Sequence, residues 1–375
     1  MIRIHRKQWF GLWLLTVYAW SVQSHAVDLS KVKVADGFSI SLYASNLGDA
    51  KQLAIGDKGT LFIGTGKSGL IHALVDTNGS GRVNKRYVVA HGLNMPEAIA
   101  FYQGDLFVAS EKKILRYRDI ENNLRRRVRP EEVYKKLPAE VIKSRRAMQF
   151  GPDGRLYVSL GVDCNVCEAK PPLGQMLAIN IDTGDSEVIA KGIRRVTGFD
   201  WSKDNQLWFA DLGRNWLGDN LPADEINRVD QVGAHYGFPY FHGKAVKEAA
   251  FTKPKGLKVT EPVYELPAHV GPMGLHFYRG HQFPSQYQNQ LFVAENGSWN
   301  RSSKVGYQVM LLVLESQRVV KRKTMVSFLD SEFPIAQPYS LITAPDGALF
   351  ISDDFKGRVY RLFYNNNDHQ VQDIL

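Results

Sequence analysis

Two kinds of residue cluster in this chain could do chemistry. The first is a set of cations at matching places along the sequence: Lys51, Lys143, Arg145, Arg146, Arg194 and Arg195, with His269 and Gln337 at the same place in later segments. Cations converging in a concave site suit a ligand carrying several carboxylates or phosphates, because guanidinium groups bind such anions through paired hydrogen bonds. The second is a set of hard oxygen donors, Asp211, Asp224 and Glu225, of the type that holds Ca²⁺. The alternative for Asp224 and Glu225 is a structural one, capping a short helix over 226–229. Cys164 and Cys167 are the only cysteines. No second Cys or His pair stands near them at zinc spacing, and no His follows Cys167 to attach a c-type haem. The pair points to a short structural disulfide, with a redox role as the alternative.

The elements that position these groups repeat. An apolar strand, a turn with Gly or Asn, and a second apolar strand recur six times, with the second strand opening on Leu61, Leu106, Leu156, Leu207, Leu291 and Leu349. Four of the five steps between these leucines fall near 50 residues, the spacing of four-stranded propeller blades. The remaining step, Leu207 to Leu291, carries an insertion, roughly Arg214 to Val270. The fold expected is therefore all-β, a single six-bladed β-propeller over residues 27–375. Phe38 to Ala44 should pair with the last blade near Val359 to Phe363 and close the ring. The cations and donors above all fall just before or just after the two marked strands. In a propeller, those loops surround one mouth of the central channel.

Residues 1–26 read as a signal peptide: Arg3, Arg6 and Lys7 precede a short apolar stretch, and Ser24-His25-Ala26 offers a cleavage site. Its removal takes three cations and no acids, lowering the formal charge from +9 to +6. No later stretch is apolar enough to span a membrane, so the expected location is an exported, periplasmic one. The basic run Arg125–Arg129 has no interleaved aromatics and reads as a solvated outer loop, not a nucleic-acid site.

Several segments together resemble a known family. Ala147 to Gly161, Cys164-Asn-Val-Cys167, Gly198-Phe-Asp-Trp201, Trp216-Leu-Gly-Asp219, Asp224-Glu-Ile-Asn227, His235-Tyr-Gly-Phe-Pro239 and Gly297-Ser-Trp-Asn-Arg-Ser302 are similar, in order, to the glucose/sorbosone dehydrogenases. These are soluble sugar dehydrogenases that use pyrroloquinoline quinone (PQQ). The resemblance implies PQQ over the channel, Ca²⁺, a sugar substrate and an external electron acceptor. It assigns Gly213 and Arg214 carbonyls to one calcium, and Glu225 with the Tyr236 carbonyl, joined by Asp224 or Asp211, to a second. Arg146, Arg194, Arg195 and Gln337 become the cofactor-binding positions. The family's catalytic His falls on Lys143, the Asn after its Arg on Arg195, a further Arg on Gln337 and a His on Asn296. His269 stands where the family also has His, and it joins Lys143 as a candidate base. These departures concentrate at the mouth, so the rival expectation is a propeller that binds an anionic ligand or a protein without catalysis. A calcium-dependent lactonase on a similar propeller comes third, because it needs more acidic ligands in the channel.

Overall fold

The structure, a computed structural model, describes residues 27–138 and 146–365. The expected signal peptide at 1–26, Arg145 and the candidate base Lys143 lie outside the described residues. Among those described, the only helical segments are three 3₁₀ turns of three residues each.

The six repeats fold as six antiparallel sheets. In chain order their first two strands are Ala50–Ile55 and Leu61–Thr65, Ile99–Tyr102 and Asp105–Ser110, Met148–Phe150 and Leu156–Leu160, Gly198–Trp201 and Leu207–Asp211, Pro272–Phe277 and Leu291–Glu295, and Pro338–Thr343 and Leu349–Asp353. The second strands are buried along their whole length. That is why they read as continuous apolar runs: each is covered on both faces by a neighbouring blade. First strands line the channel, an opening of about 290 Å³. Gln52 reaches sideways there, donating from Nε2 to the Met148 carbonyl (2.7 Å) and accepting from the N–H groups of Met148 and Ile99. One amide thus ties blades 1, 2 and 3 together.

The ring closes with a strand from the other end of the chain. Phe38–Ala44 pairs antiparallel with Arg358–Tyr364 as the outer strand of blade 6, with Phe38 opposite Tyr364. Edge-on contacts to Phe283, Tyr287 and Tyr364, at centroid distances of 4.8, 5.1 and 5.1 Å, pin Phe38 into the core beneath blades 5 and 6.

The insertion is narrower than 214–270. Asp224–Arg228 is the third strand of blade 4 and Tyr264–Leu266 its fourth, which leaves 229–263 as the inserted stretch. Within it, Ala234–His235 adds in parallel to the outer edge of blade 3, and Phe241–His242 with Val246–Lys247 makes a small hairpin. Asp224 and Glu225 therefore cap no helix. Ile226 lies opposite Ala210 in the ladder and packs with Trp208, Leu266 and Phe277, so burial decides for strand despite the polar neighbours.

Replacing Phe38 by Ala should remove the aromatic clamp on the closing strand. We expect a loss of ~3–5 kcal/mol, the usual range for a buried Phe, read as a lower urea midpoint. A midpoint within error of wild type would show that closure rests on the strand ladder alone.

Candidate functional site

Carboxylates and hydroxyls at the ends of the second strands fix the loops at the predicted mouth. Asp211 accepts the backbone N–H groups of Arg194 (2.7 Å) and Arg195 (2.6 Å). Asp353 does the same for Gln337 (3.0 Å) and Phe355 (3.0 Å), and Ser110 Oγ for Asn94 (3.2 Å). Ser352 Oγ donates across to the Lys51 carbonyl of blade 1 (2.7 Å). Lys51, Arg194, Arg195 and Gln337 thus sit on a latched collar.

The cations on that collar are mostly engaged by the protein itself. Lys51 pairs with Asp354 (2.7 Å) and lies over the Tyr339 ring. Asn296 bridges Asp354 and the Pro338 carbonyl, both at 3.1 Å. Arg194 donates Nε to the Asn165 carbonyl (2.9 Å), Nη1 to the carbonyls of Gly213 (3.0 Å) and Leu212 (3.3 Å), and Nη2 to Asn165 Oδ1 (3.2 Å). Burial first, and the neighbouring Arg195 charge next, lower Arg194 to about 10. Arg195 reaches the Val162 carbonyl at 3.4 Å. Arg146 is different. It is 1% exposed, spends Nη1 on the Glu111 carbonyl (3.0 Å), and leaves Nε and Nη2 buried without a partner among the described residues. Two orphaned donors on a buried cation fit an anion's oxygens. A carboxylate-bearing quinone matches that chemistry.

Calcium fits less well. The Gly213 carbonyl is held by the Arg194 guanidinium, and the Arg214 side chain pairs with Glu248. Against desolvation, the Ala250 N–H, His242 and Arg214 hold Glu248 down to about 2. Asp224 accepts Gly213 N–H (2.8 Å) on one oxygen and Gly271 N–H (2.9 Å) on the other. Glu225 accepts Gly243 N–H (2.6 Å) and Asn227 Nδ2 (3.0 Å). Tyr236 is buried, its N–H donating to the Lys191 carbonyl and its hydroxyl to the Arg228 carbonyl. Among the described residues no group of three or more acidic, His or Cys side chains is placed to hold a metal. Arg194 supplies the positive charge at the carbonyls where the sequence reading put the first ion.

His269 borders a cavity of about 100 Å³ beside Arg194, Arg195, Asp224, Asn296 and Trp299. Its Nε2 is 2.8 Å from the Gly218 carbonyl. A carbonyl only accepts, so Nε2 carries the proton and Nδ1 is the neutral ring's acceptor. Its backbone has φ +65°, a left-handed value that a side-chain-bearing residue rarely holds unless its surroundings impose it. Cys164 and Cys167 are disulfide-bonded and flank Asn165, which also holds Asn215 through both its amide groups.

The sequence reading passed over two groups. At the channel, Asp200 on blade 4 accepts Phe277 N–H (2.8 Å) and pairs with Arg279 (3.0 Å) and His276 Nδ1 (3.2 Å), while His276 Nε2 meets Thr343 Oγ1 (2.8 Å). Despite burial, His276 and Arg279 hold the Asp200 carboxyl well below its usual range. This cluster bolts blades 4, 5 and 6 together. Its only sequence signal was Asp200 inside an otherwise aromatic strand. The other group is the exposed Trp216 and Trp299 at the rim.

The family model described as domain of unknown function (DUF7133) matches residues 24–361. A Borreliella burgdorferi protein, described as uncharacterized, is 34% identical over 353 residues, covering 89% of this chain and 91% of its own. Among solved structures, the holo PQQ domain of pyranose dehydrogenase from Coprinopsis cinerea superposes with a TM-score of 0.71 at 17% identity, over 88% of this chain and 97% of that one. A calcium structure of a Trichoderma reesei Carbohydrate-Active Enzymes Family AA12 protein gives 0.72 at 16% identity, over 89% and 97%. The PQQ-bound form of an aldose sugar dehydrogenase from Streptomyces coelicolor gives 0.65 at 18% identity, over 88% and 99%. At these identities the likeness is one of fold, a six-bladed propeller.

Burial pushes Asp224 and Asp353 each to about 6, and raises Asp211 and Glu225 as well. Folded values above unfolded ones mean the native state binds more protons. Their stabilisation is therefore full below about pH 4, near the unfolded value, and is lost as pH rises through about 6 for the three aspartates and about 8 for Glu225. Asp224→Asn should flatten the fall in melting temperature between pH 4 and 7 by an amount worth ~1–3 kcal/mol. A variant with the wild-type slope would show that Asp224 does not titrate in this window.

Proposed function

The chain belongs to the DUF7133 family, and on that premise we propose that it is an exported PQQ-dependent dehydrogenase of an aldose or related polyol. The observation that carries this reading is His269: its Nε2–H is pinned by the Gly218 carbonyl, so the Nδ1 lone pair remains to take a proton beside the mouth cavity. Resemblance to the sugar dehydrogenases and the shared propeller support it. The Cys164–Cys167 disulfide supports export, since such bonds persist in oxidising compartments.

When bound, PQQ supplies a two-electron acceptor for the hydride leaving the sugar carbon. The orphaned Nε and Nη2 of Arg146, with Arg195, would hold its carboxylates. His269 Nδ1 takes the proton of the reacting hydroxyl, so the C–H electron pair departs as that O–H proton is removed and the C–O bond becomes a carbonyl. Arg194, anchored by four acceptors, contributes fixed positive charge next to the cavity at no reorganisation cost. No step requires calcium. An external acceptor must then reoxidise the cofactor. A second reading, a propeller that binds an anion without turnover, is favoured by one observation. The cavity of about 100 Å³ is smaller than the ~300–1,000 Å³ of most small-molecule sites.

Calorimetric titration of PQQ into the purified mature chain, with and without Ca²⁺, followed by dye reduction over an aldose panel, tests the proposal. Binding that is independent of Ca²⁺, weakened by Arg146→Gln, is expected. His269→Asn should lower turnover ~10²–10⁴-fold, the usual contribution of a general base. Failure to bind PQQ in either condition would overturn the dehydrogenase and leave the binding propeller.

A further inference from the structure

The rim beside the mouth carries two indoles that nothing in the fold covers. Trp216 is 64% and Trp299 69% exposed, although both belong to short loops laced on every side. Their rings meet edge to face at 5.3 Å and 86°, forming an open corner. The Trp216 loop is held at one end by Asn165, which accepts Asn215 N–H at 2.8 Å. At the other end, His269 grips the Gly218 carbonyl, Ser302 N–H donates to Asp219 Oδ1 (3.1 Å), and Arg301 donates to the Asp219 carbonyl and to Asn220 Oδ1 (3.3 Å). Trp216 itself has φ +71°, a conformation that costs a side-chain-bearing residue roughly 1–3 kcal/mol. The fold thus holds two large apolar rings in water, one of them in a strained backbone.

The corner opens onto a groove of about 610 Å³ edged by Asp219, Asn300, Arg301 and Ser302. Two donors at that edge, Asn300 Nδ2 and Arg301 Nε, are buried and lack a partner among the described residues. Apolar faces set at right angles beside unspent hydrogen-bonding groups match one ligand shape: a pyranose ring, with C–H bonds on its faces and hydroxyls around its edge. A protein partner would need an interface of ~1,200–2,000 Å², far more than two indoles on a shallow rim. Trp299 and Asn300 also border the His269 cavity, so the groove continues directly from it.

We propose that Trp216 and Trp299 form an outer sugar subsite, which makes the substrate an oligosaccharide or glycan end with its terminal ring at the His269 cavity. The inner ring's role rests on the dehydrogenase reading above; binding at the outer subsite does not.

The test is binding of glucose and of gluco-, xylo- and galacto-trisaccharides to the mature full chain without quinone, followed by calorimetry and tryptophan fluorescence. At least one trisaccharide should bind ten-fold or more tightly than glucose and perturb indole emission. Trp299→Ala and Trp216→Gly should each erase that advantage. The Gly variant accepts φ +71° without strain, so it should melt no lower than wild type, and lost binding would not reflect lost folding. Equal affinity for glucose and every trisaccharide, or a trisaccharide advantage that survives both substitutions, would overturn the subsite. PQQ titration of the same samples separates the two proposals. Trisaccharide binding without quinone binding removes only the dehydrogenase, and quinone-dependent glucose oxidation without a trisaccharide advantage removes only the subsite.

Discussion

A circular array of sheets works only if its last edge meets its first. Here that constraint is met by Phe38–Ala44, drawn from the opposite end of the described chain to complete blade 6. An open ring would expose unpaired N–H and C=O groups along two strands and would let the blades splay. Closure has a further consequence for the mouth. Contacts such as Ser352 Oγ to the Lys51 carbonyl, and Lys51 to Asp354, run between the sixth and first blades and exist only because the ring is shut. The precision of the site is therefore borrowed from a strand pairing on the outer edge of the sixth blade.

Within that frame, the collar is built by burying acids. Asp211, Asp224 and Asp353 each spend both or part of their acceptor capacity on backbone N–H groups of irregular loops. Those donors would otherwise be orphaned in a turn with no ladder to satisfy them. Burial of so many carboxylates calls for a compensating cation. Arg194 meets it as a planar fork that bonds four acceptors at once, which neither a lysine nor a spherical ion could reproduce with the same directions. A guanidinium at the Gly213 carbonyl and a metal ion there are competing answers to one electrostatic need, and this chain shows the first.

The repeats were legible because their second strands are buried on both faces, and that demands uninterrupted apolar letters such as Leu61-Phe-Ile and Leu349-Phe-Ile. The third strand of blade 4 was not legible: Asp224-Glu-Ile-Asn-Arg228 is four-fifths polar, yet all but Arg228 is buried. Its carboxylates Asp224 and Glu225 are satisfied by Gly213, Gly243 and Gly271 N–H groups, which lie outside the strand. The cations at the mouth could be placed by their position in the repeat. Their partners could not, since Lys51 finds Asp354 across 303 residues of chain. Nor does any local pattern announce the left-handed backbone at Trp216, a bulky residue that rarely adopts it.

Asn165 links the mouth to the rim. It sits between two disulfide-linked cysteines, and its single Oδ1 accepts from both Arg194 Nη2 and Asn215 N–H. The guanidinium beside the cavity and the loop that presents Trp216 are therefore aimed by one amide, whose backbone the short disulfide loop restricts. His269 repeats the arrangement from the other side, since the proton that fixes its tautomer is the one that holds Gly218, two residues beyond Trp216. Moving the rim would free His269 Nε2, and turning the imidazole would release the rim. The Arg194 guanidinium, the His269 imidazole and the Trp216 loop are thus one hydrogen-bonded unit at the edge of the cavity.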